Sequence, residues 1–365
     1  MFSVYGRIKS HEETLNWIKP LSKNIGITRT AEVTWLDQIG LPVYQAIRPL
    51  SKNYIVSQGK GLTKEQAEIS ALMESIELYH AEDIPVNLRE TINGMRDYLC
   101  YNPYDLEKQQ EVVLNEEIPI DWALATNLVT NENNWIPKDL ICLDFSVKSE
   151  LIKMPFRVTS NGLASGNCKE EALIHGLLEV IERDCITNSE KLIVNNQCLP
   201  NSIITWIEKL GKLGHHTRIS LLKNTYNIPC FEVSIRQFGK QIAFTGTACH
   251  LNKEMALFKA LTEAIQSRLT FITGSRDDIR EESYKRYKKN IDDKNLLKFP
   301  EEYIQFNNIT EICFKSSIEE QLDYLIKLVS QTTKTSPLYV NLTKEEFNIP
   351  VYFVVVPKLS FKVRH

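Results

Sequence analysis

Ser160-Asn161-Gly162-Leu163-Ala164-Ser165-Gly166-Asn167 runs through Cys168 into Lys169–Arg183, and together they read SNGLASGN-C-KEEALIHGLLEVIER. The spacing predicts a Gly-rich turn followed by a helix with an apolar side of Ala172, Leu173, Leu177, Leu178 and Ile181. Glu179 and Glu182 are three apart and share one helical face. Two carboxylates on one face repel unless a cation or a proton lies between them, so both are candidate metal ligands.

The pattern K-E-x-A-x3-[AG]-L-x-E-x-I-[EQ] occurs three times without a gap, from Lys64 to Glu77, Lys169 to Glu182 and Lys253 to Gln266. The shared Ala, small residue, Leu and Ile fit helices packed closely on a sheet. The shared acid, Glu74, Glu179 or Glu263, has no such packing reason. A solvated acidic face would explain one copy; three copies in register point to three helices aimed at one polar centre.

A second unit also recurs three times: a helix, a strand, then a strand entered through proline. Its copies are residues 11–23 (broken at Pro20), Ile27–Val33 and Gly40-Leu41-Pro42-Val43; Ser202–Leu213, Arg218–Leu222 and Asn227-Ile228-Pro229-Cys230; and Ile318–Ser330, Leu338–Leu342 and Asn348-Ile349-Pro350-Val351. Proline as a strand's first residue removes no ladder bond. The two units together predict a pseudo-symmetric α/β fold built around one centre, a single domain over residues 1–365. The core motifs span 54–84, 154–187 and 240–280, and the less regular 86–150 reads as an insertion. Strands are expected at Tyr54–Ser57, Asp121–Ala125, Leu140–Phe145, Met154–Ser160 and Gln241–Thr247, with acidic helices at Thr63–Ala81 and Lys253–Leu269. Residues 276–310 read as a solvated helix and loop.

The 365 residues are 43% hydrophobic with a net charge of −3. That suffices for a core and gives no case for a nucleic-acid or membrane-surface partner. No apolar run reaches the ~18 residues of a transmembrane helix. The N-terminus lacks the apolar stretch of a signal peptide. Eight scattered cysteines without a C-x2-C pair argue against a zinc knuckle and for reduced thiols in the cytoplasm, with Cys185 and Cys198 the nearest pair.

In Gln58-Gly59-Lys60-Gly61 the glycines would let the backbone approach a phosphate and Lys60 would add charge. It is not a Walker loop, and a tight turn with an exposed lysine is the plainer reading. Ser70, Glu74 and Glu77 follow at i, i+4 and i+7, so a hydroxyl and two acids share its stripe. Glu74, Glu77, Glu179 and Glu182 exceed what one Mg2+ needs, which points to more than one ion bridging a triphosphate. Arg183, Arg268 and Arg276 could complete such a site, or be helix-end surface cations. His175 holds the place of Ser70 in the repeat. Cys168, at a helix N-terminus, reads as either an acidified thiol or a small buried residue. No Ser/His/Asp or Cys/His constellation emerges, and no catalytic base is assigned.

At these residues the sequence resembles the YcaO family. The motifs are Gly59–Gly61 with Ser70–Glu77, Ser160–Asn167 with Glu171–Ala172 and Glu179–Arg183, Ala260–Arg268, the Ile-Pro-Val strand and Val354–Leu359. The resemblance covers nearly the whole chain. It implies an ATP-binding α/β fold, Mg2+ on Glu74, Glu77, Glu179 and Glu182, and Lys60, Ser70, Asn167, Glu171, Arg183 and Arg268 around the nucleotide. Arg7 and Thr14 fit the family's basic and hydroxyl residues near the N-terminus. The implied chemistry is ATP-dependent O-phosphorylation of a backbone amide in a precursor peptide or protein. The product is an azoline with a side-chain nucleophile, a thioamide with sulfide, or an amidine with an amine.

Two departures qualify this. The proline-rich tail of many azoline-forming members is missing from Pro357–His365, and the chain carries no E1-like leader-binding domain. Gln266–Thr270 and Gly274–Asp278 look like members that work with a separate TfuA-like partner, a group tied to thioamide formation. The expected partners are therefore the substrate and a TfuA-like or E1-like protein, with room for a homodimer.

Overall fold

The computed structural model describes residues 7–109, 112–146, 155–275, 279, 281–290, 303–312 and 317–359. The chain begins with α1 (His11–Leu21), β1 (Arg29–Glu32), β2 (Val43–Ile47), β3 (Val56–Lys60) and α2 (Lys64–His80). There follow β4 (Leu88–Glu90), α3 (Ile92–Met95), β5 (Ile120–Asn127), β6 (Asn133–Pro137), α4 (Lys138–Ile141), β7 (Leu163–Ser165) and α5 (Lys169–Asn188). Next come β8 (Glu190–Asn195), α6 (Asn201–Lys212), β9 (His215–Lys223), β10 (Cys230–Gln237), β11 (Ala243–Cys249) and α7 (Lys253–Thr273). The last are α8 (Glu281–Lys288), β12 (Tyr303–Gln305), α9 (Ile318–Thr333), β13 (Leu338–Asn341) and β14 (Val351–Val355).

Three sheets form, ordered β1-β2-β3, β11-β10-β9-β8-β12 and β4-β5-β13-β14-β7, with β6 on β5. Each contains one antiparallel triple that feeds an acidic helix: β1-β2-β3 into α2, β9-β10-β11 into α7, and β13-β14-β7 into α5. In the third unit the chain order is permuted. Strands from residues 338–355 pair with a strand at 163–165.

The three units share one entry device. Gly40, Asn227 and Asn348 all adopt the left-handed conformation, with φ of 72°, 53° and 51°, which Gly and Asn tolerate best. The proline two residues on accepts a backbone bond from the residue after the third strand. These bonds are Gly61 to Pro42 at 3.2 Å, His250 to Pro229 at 3.1 Å and Gly166 to Pro350 at 3.2 Å. Lys60, Cys249 and Ser165 are thereby equivalent strand ends, opposite Val43, Cys230 and Val351.

The units close head to tail. Besides its own sheet, α2 packs on β7, α5 on β11 and α7 on β3. Close approach needs residues without bulk on both sides. A Cβ on Gly59 would lie 2.0 Å from the Ala71 nitrogen, and one on Gly246 would lie 2.3 Å from both the Ala260 oxygen and the Ala264 nitrogen. The apolar sides of the helices, such as Leu72 and Ile76 on α2, are fully buried, each stabilising by about 1.5–3 kcal/mol. The Arg48–Glu82 ion pair, also buried, ties the β2–β3 loop to the end of α2 with bonds of 2.9 and 2.7 Å.

Several local expectations are corrected. Leu140–Phe145 is not a strand: α4 ends at Ile141, Leu143 donates to Ala81 and Phe145 to Lys52, so no ladder forms. Of Met154–Ser160, Met154 lies outside the described residues and only Phe156 makes a bridge, to Lys108. The strand is Leu163–Ser165, inside the stretch read as a turn. Helix α1 runs through Pro20, which lies in its last turn. Thr63 caps α2 by accepting from Gln66, whose side chain reaches back to Leu62 rather than to Thr63. Arg276 lies outside the described residues, and α8 is solvent-facing as expected. The described cysteines are all free. No helix among the described residues is long and apolar enough to cross a membrane.

The packing makes opposite predictions for two glycines. Gly246→Ala should cost about 1–3 kcal/mol or more, because backbone must move. Gly211→Ala, in α6 with open space around it, should gain up to about 1 kcal/mol. Urea denaturation of the two variants checks both signs.

Candidate functional site

The head-to-tail closure turns one face of each acidic helix toward a common cavity. Successive levels along the helices carry Ser70, His175 and Lys259, then Glu74, Glu179 and Glu263, then Glu77, Glu182 and Gln266. The third level meets the next unit's strand end. Glu77 Oε1 accepts from the Ser165 amide at 2.8 Å and its hydroxyl at 2.6 Å. Gln266 donates to the Gln58 carbonyl at 3.1 Å. The charge of Glu182 is felt at Cys249. Glu74 accepts from the Gln58 amide of its own unit at 2.9 Å.

These acids are only half-buried by solvent accessibility, yet protein surrounds them on every side. They therefore face a recess that solvent still reaches, not a sealed core. Burial pushes the Glu77 carboxyl up to about 8, against its Ser165 hydrogen bonds and helped by the charges of Glu179 and Glu74. Burial likewise lifts Glu179 to about 7, opposed by Arg183 and a Gly162 backbone bond and reinforced by Glu263 and Glu74. Glu182 is raised by burial and then by Glu263. Arg183 stands 3.7 Å from Glu179. An unassigned excess of carboxylates is thus held partly protonated.

Cations line the same space. Lys60 and Arg7 act electrostatically on Lys259, all three act on His175, and Lys60 also acts on Glu182. Burial and then Lys259 lower half-buried His250 to about 3; the surrounding protein and Lys259 also lower His175, although its side chain stays exposed to solvent.

A second cluster forms at the N-terminal end of α5. Glu171 accepts from the Ile8 amide at 2.6 Å and from the Asn167 amide and side chain, each at 2.9 Å. Arg7 lies 3.7 Å away, and the Thr14 hydroxyl donates to Asn167 at 2.8 Å. The N-terminal segment is thus pinned to the turn after β7 although some 150 residues separate them. Arg268 is placed differently. It is buried in an ion pair with Asp37 at 2.8 Å and capped by the Tyr287 hydroxyl.

Cys168 caps α5, but burial raises its thiol rather than acidifying it. Gly59 and Gly61 are required by the approach of α2, so packing accounts for them without a phosphate.

The sequence places Glu263 at the shared centre without making it a ligand, and assigns nothing to Lys259, Ser165 or His250. The repeat did align Glu263 with Glu74, and Lys259 with Ser70 and His175. Ser165 could be matched to Lys60 only through the strand permutation, which chain order hides.

The donor set is hard oxygen, suited to Mg2+. Among the described residues no three of His, Cys, Asp and Glu are gathered tightly enough to hold a metal alone. An ion here would share its shell with water and with oxygens of a phosphate, which is how Mg2+ is usually bound.

Comparison with known proteins bears on this cavity. An uncharacterized protein of Mycobacterium tuberculosis is 32% identical over 77% of this chain and 65% of its own length. One from Methanothermobacter thermautotrophicus is 33% identical over 95% of this chain and 93% of its own length. An uncharacterized protein in the tfuA 3' region of Rhizobium leguminosarum bv. trifolii is 31% identical over 77% of this chain and 71% of its own length. Among solved structures, a heterocyclase in complex with substrate and cofactor matches with a TM-score of 0.80 at 18% identity, over 98% of this chain and 54% of that one. YcaO from Methanopyrus kandleri bound with AMPPCP and Mg2+ matches with a TM-score of 0.72 at 22% identity, over 99% and 95%. The chain therefore spans just under two thirds of the first of these relatives and about half of the heterocyclase. Residues 58–360 match the family described as YcaO cyclodehydratase, ATP- and Mg2+-binding, and the chain belongs to that YcaO family, whose cofactors are ATP and Mg2+.

Proposed function

We propose that this chain activates a backbone amide of a ribosomally made peptide or protein by ATP-dependent O-phosphorylation. The observation that carries the reading is the cavity itself: carboxylates from three helices, raised by burial and by one another, share one space with the cations Arg183 and Lys60. A scaffold has no use for such an arrangement, which costs stability until metal ions neutralise it. Mg2+ would supply charge neutralisation for the transferring phosphoryl group. Glu74, Glu77, Glu179 and Glu182 would hold it, while Lys60, Ser70 and Arg183 face the phosphates. Arg7, Thr14, Asn167 and Glu171 would bind the remainder of the nucleotide. Arg268, committed to Asp37, would act by bracing that wall.

Phosphorylation is chemically apt, because oxide is a hopeless leaving group from an amide carbon and phosphate a good one. We favour thioamide over azoline as the product. The relative found in a tfuA 3' region supports a separate TfuA-like partner, and we place the reaction in the cytoplasm.

Glu74→Gln and Glu179→Gln should each lower peptide-dependent ATP turnover on the order of 100-fold or more. Calorimetry should show weakened Mg2+-dependent ATP binding in both. A wild-type chain that binds no Mg2+-ATP would instead be a non-catalytic scaffold. Mass spectrometry of the peptide separates the products: oxygen replaced by sulfur for a thioamide, loss of water for an azoline.

A pH effect follows from the raised carboxyls. Coordination needs ionised Glu77, Glu179 and Glu182, so Mg2+ binding near pH 7 should release protons and weaken as pH falls from 8 to 6. Calorimetry in buffers of different ionisation enthalpy measures that release. Because the folded-state values lie above the unfolded ones, these groups stabilise the metal-free fold at low pH. That contribution is lost as pH rises through about 7–8. Added Mg2+ should restore thermal stability most at the alkaline end.

A further inference from the structure

Gln58 stands in the middle of β3, the outer strand of β1-β2-β3. Across the β2–β3 ladder Gly61 donates to Pro42 and Arg48 donates to Ile55. Those two places are therefore hydrogen-bonded pairs. Counting inward along the register, Gln58 opposite Gln45 falls at a non-hydrogen-bonded pair. Its amide and carbonyl thus turn away from β2, toward the sheet's outer edge. Gln58 is only 6% exposed, so both groups need partners from the protein.

Two side chains supply them. Glu74 of α2 accepts from the amide at 2.9 Å, and Gln266 of α7 donates to the carbonyl at 3.1 Å. An ionised carboxylate could not make the second bond. That gives a reason for glutamine at the place where α2 and α5 carry Glu77 and Glu182.

The Gln58 side chain is anchored too. Its Nε2 donates to Ser275 Oγ at 3.1 Å, and its Oε1 accepts from the Thr270 hydroxyl. Gln45, buried beside it, donates to the same Ser275 Oγ at 2.7 Å. Thr273 Oγ1 lies 2.9 Å from that oxygen. Ser275 follows Gly274, the left-handed residue that ends α7. Each polar atom of Gln58 therefore has a partner: one is Glu74, and the others belong to α7 and its end. The corresponding pairs in the other two units are Glu232 with Thr247 and Phe353 with Leu163, so the glutamine pair belongs to the first unit.

We propose that Gln58 is a positioning residue for Glu74. It clasps the end of α7 and so fixes the edge amide against which the carboxylate is set. The inference rests on the reading of Glu74 as a Mg2+ ligand and deepens it by naming what orients that ligand. A glutamate side chain rotates freely in isolation. An amide held from behind restricts it before any ion arrives, so less conformational entropy is lost on coordination. The bracing comes from the neighbouring unit, which makes closure of the ring a condition for an ordered Glu74.

The test measures Mg2+-dependent ATP binding by calorimetry in Gln58→Leu, Ser275→Ala and Ser275→Thr. Gln58→Leu should raise the half-saturating Mg2+ concentration about 10-fold, with ATP affinity at saturating Mg2+ close to wild type. Ser275→Ala removes the acceptor that both glutamines share and should shift the value in the same direction. Ser275→Thr keeps the hydroxyl and should retain the wild-type value. In the metal-free chain, amide hydrogens of Val56–Lys60 should exchange faster in Ser275→Ala than in Ser275→Thr. The proposal is overturned if the Mg2+ half-saturation of Gln58→Leu and Ser275→Ala stays at the wild-type value while the melting temperature drops, since the clasp would then only stabilise the fold. It is also overturned if ATP affinity at saturating Mg2+ falls by as much as the Mg2+ affinity, or if exchange is the same in both Ser275 variants. Should Gln58→Leu fail to fold, the two Ser275 variants decide the matter. A wild-type chain that binds no Mg2+-ATP would sink the metal reading of Glu74 itself, a result separate from these.

Discussion

Apolar packing forces like charges together in this fold, and most of its other features answer that conflict. The buried stripes of α2, α5 and α7 dock each helix on its own sheet and on the neighbouring unit's last strand. Once the ring of three closes, Glu74, Glu77, Glu179, Glu182 and Glu263 have nowhere to face but the shared cavity. Burial of a Leu or Ile stabilises by about 1.5–3 kcal/mol, and each helix buries several, so packing prevails over repulsion. The repulsion is relieved locally by proton uptake, by Arg183 and by the two hydrogen bonds of Ser165 to Glu77. What remains is a cluster of carboxylates that the packing holds together against their mutual repulsion.

A ring of three similar units gives three similar walls, and asymmetry has to be written in side chain by side chain. The strand ends are Lys60, Ser165 and Cys249 at places fixed by the same proline bond. The helices then place Ser70, His175 and Lys259 one turn before their shared acids. Repeating the acids around the ring keeps a floor of carboxylates. Varying the level above it makes one wall basic and another hydroxyl-bearing. The cavity therefore has a direction, although the backbone around it is nearly repetitive.

Much of this was legible because the repeats are ungapped. The pattern from Lys64 to Glu77 and its two copies gave helices at the right places and one shared centre. The Gly-Leu-Pro and Asn-Ile-Pro entries gave the strands that precede them, and the left-handed Gly40, Asn227 and Asn348 explain why those residue types recur. What stayed hidden depends on tertiary context. β7 is three residues long and lies within a turn-like sequence, so no periodicity could show it. Leu140–Phe145 has strand composition but spends its amides on Ala81 and Lys52, partners far away in sequence. Asp37 carries no local sign that it would claim Arg268. Lys259 was visible in the alignment of repeats, but its nearness to Arg7 and Lys60 exists only once the walls meet.

The permuted unit decides how the cavity comes into being. Units one and two are each continuous in sequence, so β1 to α2 and β9 to α7 can assemble through local contacts. The third needs β14, at Val351–Val355, to pair with β7, at Leu163–Ser165. Until it does, Ser165 is not held against Glu77, the turn after β7 is not fixed to Pro350, and the Asn167–Glu171 cluster has no rigid base. Pairing across so long a separation is slow to form because loop-closure entropy comes first. The Ser165 hydrogen bonds that hold Glu77 therefore depend on a pairing between the two halves of the chain.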